Sequence, residues 1–382
     1  MREIYADNAA TTKMSPAAID AMLRCMRTQY GNPSSIHAPG REAKRALERA
    51  RAEIAAAIHA EPREITFTSG GSEADNQAIR SAAVLGGARG KRHIVSAAFE
   101  HHAVLRTLES LQREGFEVTL LDVHGDGLVR VEELEAAIRE GTCLVTVMYA
   151  NNEIGTIQPI REIGAVCRRR GVPFHTDAVQ AVGHLPIDVQ AESIDLLCAS
   201  AHKFHGPRGA GFLYARRGFP LISLIEGGAQ ERGRRAGTED LPAVVGMAAA
   251  LEQSVARMSG DAAHMSALRD RIIEGLGEIP GASLNGHAVR RLPGNVNFCF
   301  EGVEGESLLI LLDEQGICAS SGSACASGSL DPSHVLLAIG RTREAARGSL
   351  RLSIGEDATE EDAAFIIRSV TGAVERLRGR SF

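Results

Sequence analysis

The residues best suited to covalent chemistry lie in Ser200-Ala-His-Lys-Phe-His-Gly-Pro-Arg-Gly209. An apolar run, Ile194-Asp-Leu-Leu-Cys-Ala199, precedes this stretch, and a second, Ala210-Gly-Phe-Leu-Tyr214, follows it. The pattern reads as strand, tight polar loop, strand, because Gly206, Pro207 and Gly209 force a turn. An isolated lysine in such a loop is ordinarily a solvated charge. Lys203, however, is flanked by His202, His205 and the hydroxyl of Ser200. Neighbouring cations lower an amine's pKa, and a neutral amine is a nucleophile able to form a Schiff base with an aldehyde.

Three further clusters fall at the ends of apolar runs. Thr68-Ser-Gly-Gly-Ser-Glu73 joins a strand to a helix. Its glycines allow close approach, and the helix start offers unpaired N–H groups and a positive dipole end, which suits a phosphate. Asp177 ends Val172-Pro-Phe-His-Thr176, with Gln180 just beyond. A carboxylate at a buried strand end needs a cationic partner, and a protonated pyridine nitrogen would serve. His101, in Phe99-Glu-His-His102, could stack on a heteroaromatic ring. Read singly, these are a Gly/Ser loop, a helix N-cap and a surface histidine pair. Together with Lys203 they form the parts of a pyridoxal 5′-phosphate site.

The elements that must position them alternate. Strands are expected at 64–68, 93–96, 118–121, 144–149 and 173–176, with helices at 71–85, 102–114, 131–139 and 160–170 between and after them. Such alternation predicts an α/β fold with a mainly parallel sheet, where ligands bind beyond the carboxyl ends of the strands. Helices at 15–30 and 40–60 precede this region. A long helix over 241–276 leads out of it into a different rhythm: strand 295–299, helix 305–315, a Gly/Ser-rich loop, helix 333–339, strand 349–353 and a terminal helix from Thr359. The sequence therefore predicts a large domain over 14–255 and a smaller α+β domain formed by 1–13 and 256–382.

At 382 residues the chain can bury a large core, and 44% hydrophobic with 24% charged residues is ordinary for a globular protein. A net charge of -6 without a basic block argues against a nucleic-acid ligand. No apolar run reaches the length of a membrane span, and the first residues carry no signal-peptide pattern, so a cytoplasmic protein is expected. The seven cysteines are scattered without a CxxC pair, which suggests neither a disulfide framework nor a zinc site. Most sit in apolar runs; Cys325, in Ser320-Ser-Gly-Ser-Ala-Cys-Ala-Ser-Gly-Ser329, does not. Gly and Ser at this density predict a flexible, solvated loop with an accessible thiol.

The ordered set of motifs resembles the cysteine desulfurases of the class V aminotransferase family, on the fold-type I architecture of pyridoxal-phosphate enzymes. The resemblance runs from Tyr5-Ala-Asp-Asn-Ala-Ala-Thr-Thr12 through Tyr30-Gly-Asn-Pro-Ser-Ser-Ile-His37, Asn151-Asn-Glu-Ile-Gly155 and Glu231-Arg-Gly-Arg-Arg-Ala-Gly-Thr238 to Arg351-Leu-Ser-Ile-Gly355, nearly the whole chain. It implies that Lys203 binds the cofactor aldehyde, that Asp177 pairs with the pyridine nitrogen and that His101 stacks on the ring. It further implies ring-substituent contacts from Gln180 and Asn152, and a phosphate held by Gly71, Ser72, Ser200 and His202. The family often has threonine where this chain has Ser72, and the hydroxyl is kept. Thr238 is implied to reach the phosphate of the other subunit's cofactor, hence a homodimer. Arg351 is implied to bind the substrate carboxylate, with Asn8 and Asn152 lining the substrate side.

The same resemblance makes Cys325 the nucleophile that takes sulfur from L-cysteine, leaving alanine and an enzyme persulfide. Its long Ser/Gly loop is similar to the branch that supplies iron–sulfur cluster assembly and thiolation. Housekeeping relatives carry a longer tail than Arg378-Gly-Arg-Ser-Phe382, one that helps dock the scaffold protein, so the sulfur acceptor stays open. The rivals are another aminotransferase or lyase of the same fold, which would not need Cys325, a selenocysteine lyase, and a non-catalytic partner protein. Retention of both Lys203 and Asp177 disfavours the last.

Overall fold

The computed structural model describes residues 3–321 and 332–379. A two-residue strand β1 (Ile4–Tyr5) precedes helices α1 (Pro16–Thr28) and α2 (Ala38–Ala57). Ser15 caps α1 by accepting from the Ala18 N–H, and Pro16 fills a first-turn position where no N–H is needed.

The next seven strands form one sheet. They are β2 (Ile65–Thr68), β3 (His93–Ala97), β4 (Glu117–Leu121), β5 (Thr142–Thr146), β6 (Phe174–Asp177), β7 (Leu196–Ser200) and β8 (Gly211–Ala215). Helices α3 (Gly71–Gly87), α4 (His102–Arg113), α5 (Val131–Ala137) and α6 (Ile160–Arg170) alternate with them. The spatial order is β2-β8-β7-β6-β5-β3-β4. Only β8 runs against the others, pairing antiparallel with both β2 and β7. The carboxyl ends of β2, β3, β5, β6 and β7 therefore share one edge. Residues of β2, β3, β5, β6, β7 and β8 are buried throughout, as expected of a sheet covered on both faces. The fifth strand ends at Thr146 rather than at Tyr149, although Val147 and Tyr149 still donate their N–H groups to the His175 and Asp177 carbonyls of β6.

Helix α7 (Leu241–Gly277), capped by Asp240, carries the chain to a second set of elements. These are β9 (Ala282–Leu284), β10 (Asn295–Phe300), α8 (Gly305–Asp313), β11 (Ile317–Cys318), α9 (His334–Ala338), α10 (Arg343–Arg347), β12 (Ser349–Ser353) and α11 (Glu360–Arg378). Strands β12, β10 and β9 form an antiparallel sheet, and β1 pairs parallel with β11. A large apolar core and two smaller ones lie around the large sheet; another gathers Ile4, Ile272, Phe298, Leu312, Leu352 and Ile366. Leu336 of α9 and Ala346 of α10 belong to the large core, although the chain reaches them late.

Candidate active site

A cavity of about 560 Å³ opens at the shared strand edge. Lys203 enters it from a 3-10 turn, Ala201–Lys203, that directly follows β7. The strand–turn–strand reading of this stretch is the observed one. The Lys203 amine donates to the carbonyls of Ala9 (2.7 Å) and Ala10 (2.6 Å). The Gln180 amide also donates to Ala9 O, at 3.0 Å. The N-terminal turn thus lies across the lysine as a strap. It is tied down by Thr12 N–H to His202 O (2.9 Å) and by Ser353 N–H to Ala6 O (2.7 Å). The cationic crowding expected around Lys203 is felt at His202: burial, Lys203 and Arg208 push its imidazole down to about 4.

Asp177 is the last residue of β6, and its Oδ1 accepts from the Val179 N–H at 2.9 Å. Burial raises its carboxyl to about 6. His101 caps α4, its Nδ1 accepting from the Ala103 N–H at 3.1 Å. Burial lowers its pKa against the opposing pull of Asp177, so the ring is favoured neutral.

The phosphate-sized end of the cavity is made by the start of α3. Gly70 has φ +148°, which side chains rarely adopt, and a Cβ on Gly71 would lie 2.6 Å from Val179 Cγ2. Only glycine lets the backbone approach this closely and present the helix N-terminus to an anion. Ser72, Ser200 and His202 line the same cavity, beside Gly71. A hydroxyl-rich helix start, a carboxyl for a ring nitrogen, a flat imidazole and an amine share one cavity, and this set fits pyridoxal 5′-phosphate.

Arg351 and Asn152 also line the cavity. Arg351 is 1% exposed. Its Nη2 donates to Asp7 Oδ1 (2.8 Å) and its Nη1 to the carbonyl of Asn152 (3.1 Å). A guanidinium expected to meet a substrate carboxylate is therefore already paired with a carboxylate from the strap.

Two expected residues stand outside the cavity lining. The Asn8 amide turns away to the carbonyls of Ser353 (2.9 Å) and Tyr5 (3.3 Å), and its neighbours Ala9 and Ala10 line the cavity instead. Thr238 is exposed, two residues before the Asp240 cap of α7. Cys325 lies outside the described residues. Among the described cysteines, Cys25, Cys143, Cys167, Cys198 and Cys299 are buried, as their apolar surroundings in the sequence predict.

The cavity also recruits residues to which no role was given from the sequence: Asp75, Glu153, Arg208 and His334. The rings of His334 and His102 stand 4.7 Å apart. The one available signal for Asp75 is its spacing, four residues after Gly71, which turns it toward the same side of α3.

Residues 4–365 match the aminotransferase class-V family. The chain belongs to that family. Among its relatives, a "Cysteine desulfurase IscS" of Methanosarcina thermophila is 50% identical over 380 residues, covering 100% of this chain and 94% of the relative. Another of that name, from Clostridium botulinum (strain Kyoto, type A2), is 49% identical over 383 residues, covering 100% and 96%. Among solved structures, a "NifS-like protein" superposes with a TM-score of 0.92 at 37% identity, covering 98% of this chain and all of the other. A NifS-like protein from Rickettsia africae gives 0.87 at 30% identity, covering 98% and 100%. The architecture is thus that of the NifS-like proteins, as the sequence motifs predicted.

Proposed function

We propose that this chain is a pyridoxal-phosphate-dependent cysteine desulfurase that converts L-cysteine to L-alanine and loads the sulfur onto Cys325 as a persulfide. The observation that carries this reading is the convergence of Lys203, Asp177, His101 and the glycine cradle on one cavity, in a chain half identical, end to end, to proteins named cysteine desulfurase. When bound, pyridoxal 5′-phosphate supplies an electron sink for the bonds around the substrate's α-carbon.

The chain's own residues do the rest. Lys203 holds the cofactor through its amine and afterwards moves the α-proton. Asp177 keeps a positive charge on the ring nitrogen, Gln180 and Asn152 fix the ring substituents, and His101 covers the ring face. Gly71, Ser72, Ser200 and His202 hold the phosphate. Thr238 of one protomer completes the phosphate site of its partner, so the working unit is a homodimer. Its exposed position, outside its own cavity, supports that reading.

Arg351 binds the substrate carboxylate in exchange for Asp7, a like-for-like replacement at the guanidinium. Asn8 acts on the substrate side only by holding the strap. The Cys325 thiolate then attacks the substrate sulfur. The carbon–sulfur bond breaks, the sulfur remains on Cys325, and Cβ takes a proton to leave as the methyl group of alanine.

The persulfide passes to an acceptor protein of the cytoplasm, a scaffold for iron–sulfur clusters or a thiolation enzyme. The chain divides into a large unit, 14–255, holding the cofactor and a smaller unit, 1–13 with 256–382, bearing Cys325. The separate core around Phe298 and Leu352 supports this division, although α9 and α10 pack into the core of the large unit. The test is incubation of the purified protein with L-cysteine and a thiol reductant that releases the persulfide sulfur as sulfide: sulfide and alanine in equal amounts support the reading, and a keto acid without sulfide would replace it with transamination.

A further inference from the structure

Beneath Asp177 lies a cluster that the proposed reaction does not use. In strand register, Thr146 stands beside His175, and Cys198 beside Asp177. His175 and Asp177 are two residues apart on β6 and so share a face. Helix α3 covers that face and brings Asp75 down onto it. His175 Nδ1 meets Thr146 Oγ1 at 2.8 Å, and its Nε2 meets Cys198 Sγ at 3.1 Å and Asp75 Oδ1 at 3.5 Å. Asp75 is 1% exposed, and its Oδ1 has no hydrogen-bond partner.

Asp75, Glu100 and Asp177 are three buried carboxyls around this spot. Glu100 Oε1 takes the Met148 N–H, while its Oε2 is unpartnered. Burying one unpaired carboxylate costs several kcal/mol, so several cannot be charged together. The groups facing them decide which one is. Asp177 accepts a backbone N–H and has His101 above it, with Lys203 nearby. Asp75 faces the Cys198 thiol and His175, whose ring burial pushes down to about 4 and keeps neutral. The thiol's hydrogen bond favours the charged carboxyl, but by less than burial opposes it.

We propose that Asp75 is held as a neutral acid and serves as a positioning residue, leaving Asp177 as the carboxylate of this sheet face. With Asp75 neutral beside the Cys198 thiol and the His175 ring, the charge of this face is directed upward to the ring nitrogen. Burial raises Asp75 to about 7, above Asp177, which is the order this requires. A metal held by Asp75, His175 and Cys198 is the competing use of the same atoms. Two ligands of one tetrahedral zinc would stand about 3.5 Å apart. The His175–Cys198 separation of 3.1 Å is instead that of a hydrogen bond to sulfur. The role through Asp177 rests on the cofactor assignment; the protonation of Asp75 does not.

Infrared difference spectroscopy on the purified holoenzyme and on Asp75→Asn tests it without turnover. At neutral pH the wild type should show a protonated-carboxyl band that Asp75→Asn lacks. Because the exchange is neutral for neutral, cofactor affinity should stay within about tenfold, the scale of one hydrogen bond. Cys198→Ser, which keeps a donor of different strength against Asp75, should shift the same band and guards against a poorly folding Asp75→Asn. An unchanged band in both variants would overturn the proposal. So would a loss of cofactor affinity of about a hundredfold or more in Asp75→Asn, the scale of a removed buried charge. One equivalent of zinc in the wild type that the variant lacks would overturn it in favour of a metal site. Failure of the desulfurase reading would appear separately, as absent sulfide with the band still present.

Discussion

Lys203 and Asp177 reach the cavity from adjoining strands, but different forces hold them. The lysine amine is fixed by two carbonyls of the strap, whereas the Asp177 carboxyl is fixed by the Val179 N–H and by burial. Lys203→Ala should therefore abolish borohydride-reducible attachment of the cofactor to the protein, read by mass spectrometry of the labelled peptide. Attachment at another lysine would contradict the assignment. Asp177 must be ionised to pair with a ring cation, and its carboxyl is raised to about 6. Cofactor retention should hold at neutral pH and weaken as pH falls below about 6, the more so because pairing itself favours the carboxylate. Dialysis followed by absorbance of the retained cofactor measures this. Retention that improves with acid would be the wrong sign. The parts of the site legible in the sequence are those whose chemistry is local: a lysine among histidines, glycines opening a helix, an acid closing a strand. Asp75 was illegible because an acid in the second turn of a helix looks like a solvated charge until the fold lays that turn against β6 and β7. The Arg351–Asp7 pair joins opposite ends of the chain and has no local signature at all.

At the scale of elements, two ion pairs fix the segments that carry the site. Arg51 of α2 grips Glu231 with two bonds of 2.7 Å, stacks 4.4 Å from the Phe67 ring, and is buried with its partner. Glu231 also accepts the Phe67 N–H while its own backbone sits at φ 47°. The pair thus locks the turn leading to Thr238 onto β2. Arg51→Ala leaves a buried carboxylate unpaired and should cost about 3–5 kcal/mol of stability in denaturant unfolding; a loss below about 1 kcal/mol, typical of a surface pair, would contradict the account. The second pair, His205–Glu356 at 3.3 Å, ties the lysine loop to the chain after β12. A hydrogen bond from His205 holds the Glu356 carboxyl down from 4.5 to about 2, and Glu356 in turn raises His205 above 6.5. The Glu356 contribution is present above pH 4.5 and lost as pH falls toward 2; the His205 contribution is complete below pH 6.5 and lost as pH rises through its raised value. His205→Asn, which tolerates the φ of 64° at this position, should lower the thermal midpoint most between these limits and progressively less on either side. A pH-independent difference would show that the pair carries no charge coupling. The alternating strands and helices of the large sheet were readable because each is long enough to show its own period. Strands β1, β9 and β11 and helix α10 were not, since two to five residues carry no period and exist only through their tertiary partners.

For the whole molecule, the sequence changes rhythm after the long helix, and a separate apolar core gathers residues of β10, α8, β12 and α11. That change of rhythm did not anticipate that α9 and α10 return to the large core, bringing His334 into the cavity wall. Two described residues on either side of 322–331 stand at the site: Ser320 bridges to Arg351, and His334 lines the cavity. In the proposed reaction, the Cys325 thiol takes sulfur from a substrate held by Lys203, Asp177 and Arg351. The most direct measurement is single-turnover alanine formation from L-cysteine by Cys325→Ala beside the wild type. The variant should retain its cofactor and still change the cofactor's absorbance on binding L-cysteine, yet form neither alanine nor protein-bound persulfide at a useful rate. Alanine at the wild-type rate in Cys325→Ala would contradict the account.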